Sequence, residues 1–327
     1  MKGRSLRYVL TLAAICSALL VATAWAGPFT FQKGDIVVGV GLGHYKVFDP
    51  VGNLLTTLDT TSGSSEDTGG AFDSNDNLIV TNFEANSVSE FDKNGNLINP
   101  TFGSGYNFNP ESVTFDHSGH VFIGQADGNA QVLEFNSTGT ALLNSFSPMR
   151  ENRGTDWIDM GPDGHTLFYT SEGHNIMRFD TATSTQLSNF ATGLPGPTAY
   201  ALKDLPNGDV LVADTNQVLL LGTNGAIIRS YTDPSLVNAF ALNILPDGKS
   251  FITANIDSTG EIFQFNIATG ALEQTIFPSP SSDVAGLIVF GELGVGPPPT
   301  APEPGTLLLV GTGAVGLAGL VRRRMIR

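Results

Sequence analysis

The amino-acid sequence predicts an all-β fold, and three observations support that prediction. Apolar residues occur in short bursts separated by Gly, Asn, Asp, Ser and Thr, and no stretch keeps the spacing of an amphipathic helix. A pattern of four bursts recurs along most of the chain. Two incomplete copies of the pattern, near opposite ends of the repeated region, complement each other.

Each copy contains a strand, a tight turn, a second strand, a polar loop, a third strand, a second turn and a fourth strand. Aligning five copies on the first turn places Asp76, Gly119, Gly164, Gly208 and Gly248 in register, at spacings of 43, 45, 44 and 40 residues. Four strands with this period are typical of a β-propeller blade.

The strands within a copy differ in their predicted burial. The second strands, such as residues 78–80 and 121–123, are continuously apolar, which predicts burial between neighbouring blades. The third strands, such as residues 132–135 and 262–265, are less uniform, and we expect them to be half exposed.

The ends of the repeated region predict how the ring closes. Residues 33–55 begin at a first turn and lack the first strand, whereas residues 285–292 form a first strand with no partner after it. One blade built from both segments gives a six-bladed propeller over residues 27–293 with no free edge at the joint. Five or seven blades are the alternatives, with an irregular blade in residues 57–68 or 277–283.

Residues 1–26 have the layout of a secretory signal peptide. A basic start precedes an apolar run, and Ala24 and Ala26 supply the small residues of a cleavage site. A lipoprotein signal at Cys16 and an uncleaved anchor are the alternatives. Cleavage after Ala26 removes the only cysteine, so the mature chain would contain no disulfide.

The C-terminal part divides into a Pro-rich linker, residues 294–304, and an apolar segment, residues 305–327. The linker ends in Pro302, Glu303 and Pro304, and the apolar segment contains the basic cluster Arg322, Arg323 and Arg324. Its uncharged residues 306–321 would span about 24 Å as a helix, against a hydrocarbon layer of about 30 Å. We expect a short transmembrane helix with its arginines in the cytoplasm and the body outside.

These three parts, in this order, resemble the PEP-CTERM sorting signal of Gram-negative bacteria that make exopolysaccharide. The resemblance implies processing by an exosortase near residues 302–304, after a transient stay in the inner membrane. It also implies delivery to the cell surface or the extracellular matrix. Exosortase and signal peptidase are therefore the expected processing partners, and exopolysaccharide or another surface protein is a possible partner of the body.

The exported body is strongly acidic. Residues 27–303 contain all 31 acidic residues and nine basic ones, a net charge of −22. Such a surface repels phosphate backbones, which excludes nucleic acid as a partner. It suits divalent cations or a hydrated matrix, and it also serves solubility alone.

The repeats resemble those of NHL-type and gluconolactonase-like six-bladed propellers. The best match is residues 207–228, in which Asp214 follows the second strand. Four other residues stand at that position in the other copies, so the resemblance is one of fold: Asn82, Gln125, Ser171 and Asn255.

Propellers bind ligands where the loops lead into the innermost strands. Five polar residues are predicted at those positions: Asp67, Glu111, Asp156, Asn238 and Asp283. The gluconolactonase-like resemblance implies a divalent cation such as Ca²⁺ there, with Glu111, Asp156 and Asp283 as candidate ligands. Capping of backbone donors is the structural alternative.

No catalytic residue can be nominated from the sequence. No nucleophile motif is present, and the five histidines lack the spacing of a metal site, so we expect them to lie exposed in turns and loops.

These observations predict an exported surface or matrix propeller that acts as a binding or structural module. A divalent-metal-dependent hydrolase or lyase of the gluconolactonase-like type is the alternative. Exposed aromatic rings at the mouth, from Trp157 and Tyr200, would favour a polysaccharide ligand, although Trp157 also suits the core.

Overall fold

The computed structural model describes residues 29–256, 260–276 and 284–293. These residues form six antiparallel four-stranded sheets, the blades of a propeller. Nowhere in these three ranges is there a helix with the length and apolar character needed to cross a bilayer. The predicted signal peptide with Ala24 and Ala26, the linker, the sorting tail and Asp283 lie outside the described residues.

The strands are assigned to blades in chain order, except in blade 1. Blade 1 contains β1 (Ile36–Gly39), β2 (His44–Phe48), β3 (Leu54–Asp59) and the last strand, β24 (Gly286–Val289). Blade 2 contains β4 (Asp67–Phe72), β5 (Leu78–Asn82), β6 (Ser87–Phe91) and β7 (Leu97–Asn99), and blade 3 contains β8 (Pro110–Phe115), β9 (Val121–Gln125), β10 (Val132–Phe135) and β11 (Leu142–Phe146). Blade 4 contains β12 (Ile158–Met160), β13 (Thr166–Tyr169), β14 (Met177–Asp180) and β15 (Thr185–Gln186). Blade 5 contains β16 (Ala199–Asp204), β17 (Val210–Asp214), β18 (Val218–Leu221) and β19 (Ile227–Tyr231), and blade 6 contains β20 (Ala239–Ile244), β21 (Ser250–Asn255), β22 (Ile262–Asn266) and β23 (Leu272–Ile276).

The innermost strands form a closed ring. They are β4, β8, β12, β16, β20 and β24, and each packs against the next, with β24 between β20 and β4. Six blades are therefore confirmed, and the blade shared by the two ends of the repeated region is confirmed by the antiparallel pairing of β24 with β1.

The joint in blade 1 reproduces the hydrogen bonds of an intact hairpin. The Gly34 N–H donates to the Phe290 oxygen at 2.9 Å, and the Phe290 N–H donates to the Asp35 oxygen at 2.9 Å. The two equivalent bonds in the covalent hairpin 73–77 of blade 2 measure 3.1 and 2.8 Å. Two separate segments thus meet as one turn.

Aromatic and glycine residues seal this joint against blade 2. The Phe31 ring lies 4.9 Å from the Phe72 ring and 5.8 Å from the Phe290 ring, measured between centroids. On the other side, a Cβ at Gly286 would overlap the backbone oxygen of Thr68, so only glycine allows this approach.

The aligned turn residues share one backbone conformation. Gly119, Gly164, Gly208 and Gly248 have φ between 64° and 84°, and Asp76 has φ of 66°. This left-handed conformation explains why glycine dominates the position. The repeat register is confirmed.

The hydrophobic core lies between adjacent blades. The strands β5, β9 and β17 are buried along their whole length, as predicted for second strands. The prediction of half-exposed third strands is wrong for β10, which is buried throughout, and in residues 262–265 of β22 only Gln264 is half-buried. Both faces of β10 are covered by neighbouring blades, and the exposed positions lie instead on fourth strands such as β11.

Candidate functional site

The two ends of the propeller are called the mouth face and the hairpin face. The mouth face is where the innermost strands begin, and the hairpin face carries the first turns. One position in or just before each innermost strand, eight residues before the aligned turn residue, forms a set that we call the mouth ring. In blade 1 the equivalent residue precedes Phe290 by five. The mouth ring consists of Thr68, Glu111, Asp156, Tyr200, Phe240 and Ala285.

A β-bulge coincides with the mouth ring in four blades. The pairing of the first and second strands shifts between Pro110 and Ser112, around Glu111, and between Ala239 and Ala241, around Phe240. The same shift occurs at the ring residues of blades 2 and 5. A bulge redirects the side chain of its extra residue, so the alternation of side chains along the strand is interrupted at these positions.

Glu111 and Asp156 form the acidic part of the mouth ring. Each residue is 1% exposed. The Ser112 hydroxyl donates to the Asp156 backbone oxygen at 2.6 Å and so ties the two neighbouring strands together. Among the described residues, neither Asp156 carboxylate oxygen has a hydrogen-bond donor, and neither does Glu111 Oε2.

The electrostatic environment favours a proton on this pair. Burial raises the pKa of Glu111 to about 8, although the Arg153 charge opposes the shift. Burial, and then the charge of Glu111, raises the pKa of Asp156 well above its ordinary value. Two buried acids that interact in this way cannot both ionise readily, so the pair favours a protonated form at neutral pH.

An ion-pair layer lies beside the acid pair. Arg153 Nη2 is 2.7 Å from Asp127 Oδ2, and Arg153 Nη1 is 2.9 Å from Glu172 Oε1. The guanidinium also lies 5.4 Å from the centroid of the Phe83 ring. These three charged side chains are between 24% and 33% exposed, so they are the solvent-facing part of the site.

Aromatic residues occupy the next two positions of the mouth ring, in blades 5 and 6. The Phe240 ring lies 4.9 Å from the Tyr200 ring and 6.0 Å from the Trp157 ring, between centroids. Trp157 directly precedes β12 of blade 4 and Phe240 belongs to blade 6, so this contact joins two blades that are separated by blade 5. Trp157 is buried in the core, whereas Tyr200 is half-buried and interacts electrostatically with Glu111.

The other residues predicted at the mouth lie outside the mouth ring. Asp67 is buried one position before it, close to the backbone amides of Gly43 and His44, and burial raises its pKa to about 7. Asn238 lies two positions before Phe240, and its N–H donates to Asn255 Oδ1 at 3.2 Å. Asp283 falls outside the described residues.

The polar residues that follow the second strands position the loops of the mouth. Asp214 Oδ2 accepts the Gly196 N–H at 2.7 Å, and Gln125 Oε1 accepts the Asn107 N–H at 2.6 Å. The Ser171 hydroxyl accepts the Glu151 N–H at 2.9 Å. In these blades the position serves as a loop cap, which is a structural role.

Sequence reasoning missed one group of residues that suits a metal ion. Within the described ranges, a single set of three or more acidic, His or Cys side chains brings its ligand atoms within 4.8 Å of one another: Asp116, His120 and Glu134, on the hairpin face. Two histidines, His165 and His174, are exposed as predicted, whereas three are half-buried: His44, His117 and His120. Residue spacing could not reveal the group, because Glu134 comes from the third strand.

The C-terminal segment matches a known protein-family model. Residues 300–324 match the model described as the PEP-CTERM protein-sorting motif. The chain carries a PEP-CTERM sorting motif. This motif marks an exported protein that an exosortase processes at the membrane, as the sequence predicted.

Other comparisons inform the fold. No curated protein matches the chain. A chain in a crystal structure titled as a nidogen/laminin complex matches with a TM-score of 0.63 and 14% sequence identity, over 78% of this chain and 98% of that chain. Because 1653 chains of known structure match, the similarity supports the propeller fold and says nothing about the ligand.

Proposed function

We propose that this exported β-propeller is delivered to the cell surface or extracellular matrix, where its mouth face binds a neutral polysaccharide. The observation that carries the proposal is the composition of the mouth ring. Two neighbouring blades contribute acids and the next two contribute aromatic rings, with Tyr200 half-buried beside the Arg153 ion pairs.

This arrangement offers what a sugar requires. Sugar hydroxyls donate and accept hydrogen bonds, and the half-exposed layer of Asp127, Arg153 and Glu172 supplies both kinds of partner. The Tyr200 ring supplies an apolar face with a polar tip. The body charge of −22 disfavours a polyanion, so the proposed ligand is uncharged.

Binding of the full chain to exopolysaccharide isolated from the producing cells tests this proposal. Trp157 is one of two tryptophans, and the other, Trp25, lies in the predicted signal peptide, so Trp157 is the only tryptophan of the mature chain and its fluorescence reports on the mouth. We expect saturable quenching that Tyr200→Ala weakens at least about tenfold, as for an aromatic hot spot. Ile228→Ser, on the exposed outer strand of the same blade, is the matched control and should bind normally. If Tyr200→Ala and Ile228→Ser bound the exopolysaccharide equally well, the mouth would not be the binding site.

A second candidate function rests on the unpaired oxygens of Glu111 and Asp156. Together with Asp283, these carboxylates would hold a Ca²⁺ ion that polarises a substrate carbonyl, in a hydrolase or lyase of the gluconolactonase-like type. The test is hydrolysis of D-glucono-1,5-lactone with Ca²⁺ or with chelator. Acceleration that chelator and Glu111→Gln both abolish would support an enzyme, and a rate equal to buffer in both conditions would exclude this activity.

A further inference from the structure

We propose that Asp116, His120 and Glu134 bind one divalent transition-metal ion, with zinc as the probe, on the hairpin face of blade 3. Asp116 and His120 lie in the turn between β8 and β9, and Glu134 lies on β10. His120 Nδ1 is 3.0 Å from Asp116 Oδ2 and 3.0 Å from Glu134 Oε1. This inference is independent of the proposed function, because the site lies at the opposite end of the propeller from the mouth ring.

The number of hydrogens at His120 Nδ1 is the first argument. An imidazole Nδ1 carries at most one hydrogen, in either protonation state, yet two carboxylate oxygens lie at the same distance from it. One hydrogen cannot satisfy both acceptors with good geometry. A cation among the three atoms satisfies all of them.

Blade 2 provides an internal comparison. Its equivalent residues are Asp73, Asn77 and Glu90, and Asn77 Nδ2 donates to Asp73 Oδ2 and to Glu90 Oε1, both at 3.2 Å. An amide nitrogen has two hydrogens, one for each carboxylate, so blade 2 is complete without an ion. Replacing this asparagine by histidine, as in blade 3, removes one donor and adds a metal ligand.

The remaining oxygens are already held in place. Asp116 Oδ1 accepts the N–H groups of Ser118 and His120, both at 2.8 Å, and Glu134 Oε2 accepts Asn144 Nδ2 at 2.7 Å. The two oxygens that face His120 are therefore the free ones. Outer hydrogen bonds of this kind orient the ligands of metal sites.

The spacing and chemistry favour a transition metal. Ligands about 2.1 Å from an ion, at angles of about 90° to 109°, lie about 3.0 to 3.4 Å apart, which agrees with the two distances at His120. An imidazole ligand favours zinc and its neighbours over calcium or magnesium. The His120 side chain is 36% exposed, and those of Asp116 and Glu134 are 14% and 10% exposed. Solvent therefore reaches the proposed ion through the His120 side, and a water completes the coordination.

Zinc titration of the purified full chain by calorimetry, with cobalt absorption as a second readout, tests the site. We expect one zinc ion per chain, and an equivalent loss of binding in His120→Asn and Glu134→Gln. His120→Asn recreates the blade 2 arrangement, so its near-ultraviolet circular dichroism should match that of the parent. Glu84→Gln, which changes an exposed glutamate outside both sites, should bind zinc normally.

The reverse substitution makes the test stricter. Asn77→His places the blade 3 arrangement in blade 2 and should raise the stoichiometry from one zinc ion to two. Unchanged zinc binding in His120→Asn, no zinc binding by the parent, or a stoichiometry of one in a folded Asn77→His variant would each overturn the proposal.

Discussion

Two pairs of carboxylates, one on each face of the propeller, have opposite environments. On the hairpin face, the Asp49 and Asp180 carboxylates accept hydrogen bonds chiefly from Asn53 and from Thr183, which lower their pKa values. On the mouth face, Glu111 and Asp156 are buried with unpaired oxygens, and burial raises their pKa values.

The difference separates structural acids from candidate functional acids. A carboxylate that receives backbone and side-chain donors stabilises its own turn and needs no ligand. A buried carboxylate without donors destabilises the folded state when it is ionised, and a ligand that supplies donors or charge removes this cost. The contrast therefore identifies Glu111 and Asp156 as carboxylates that a ligand would stabilise. Asp204, on the hairpin face, also has an unpaired oxygen and a pKa raised by burial, so the contrast holds between these residues and not between whole faces.

The largest expected effect is that of Glu111→Gln. The folded protein holds a proton on Glu111 up to a pKa of about 8, whereas the unfolded chain releases it near the ordinary glutamate value. The parent therefore loses stability as the pH rises between about 4.5 and 8, and Gln removes this loss. At pH 8.5 we expect the variant to be more stable by about 3 kcal/mol in urea unfolding.

The matched control is Glu84→Gln, which changes an exposed glutamate and should leave the pH profile as it is. A Glu111→Gln variant that is less stable than the parent at pH 8.5 would contradict the assignment of an unpaired, protonated acid.

Asp67→Asn should produce a smaller effect of the same sign at a lower pH. Burial raises the pKa of Asp67 to about 7, and the backbone amides of Gly43 and His44 partly oppose the shift. Because Asp67 ionises more readily in the unfolded chain, the free energy of unfolding of the parent should fall between about pH 4 and 7. Above pH 7.5 the variant should be more stable than the parent by about 2 kcal/mol. Urea unfolding at pH 5, 7 and 8.5 distinguishes the pH range of Asp67 from that of Glu111. If the stability difference between Asp67→Asn and the parent still increased above pH 8, the assignment to Asp67 would be wrong.

Asp163→Ala, on the hairpin face, should have the smallest effect and the opposite sign. Burial opposes ionisation of Asp163, but hydrogen bonds from the Thr166 hydroxyl and from the backbone N–H groups of Thr166 and His165 lower its pKa overall. The variant should lose about 1 kcal/mol at pH 7, as for a lost cap. The loss should disappear as the pH falls through the folded-state pKa, where the parent also loses its charge.

Asp163→Asn keeps an acceptor oxygen and should lose less than Asp163→Ala. A loss that grows as the pH falls would show that the carboxylate does not act as a charged cap.

The fold could be predicted because its main determinants are local and repeated. A first turn that requires positive φ recurs at one position, so Asp76 and Gly119 set the register of their blades directly. The joint of blade 1 was predictable because residues 33–55 lack a strand that residues 285–292 supply. The burial of β10 was not predictable in this way, because it depends on contacts between blades and not on the pattern within the strand.

The candidate sites were only partly predictable, because they require the register in three dimensions. Glu111 and Asp156 occupy the same repeat position and meet at the mouth, whereas Asp67 and Asn238 are shifted by one or two positions. Counting back eight residues from each aligned turn residue would have kept Glu111 and Asp156 and excluded Asp67 and Asn238. The same count would have added Tyr200 and Phe240 to the candidate residues. His120 and Glu134 meet only through the pairing of β9 with β10, but comparison with Asn77 and Glu90 in the adjacent copy was an available signal.

The joint between β1 and β24 imposes an order on assembly. Ile36 pairs with Val289, 253 residues later, so the loop closed by this contact is nearly the length of the body, and its entropic cost falls on the last step. If the chain crosses the membrane from its N-terminus, the edge of β1 stays unpaired until residue 289 has crossed. Because the sorting motif begins at residue 300 and β24 ends at Val289, every strand of blade 1 precedes the sorting motif along the chain.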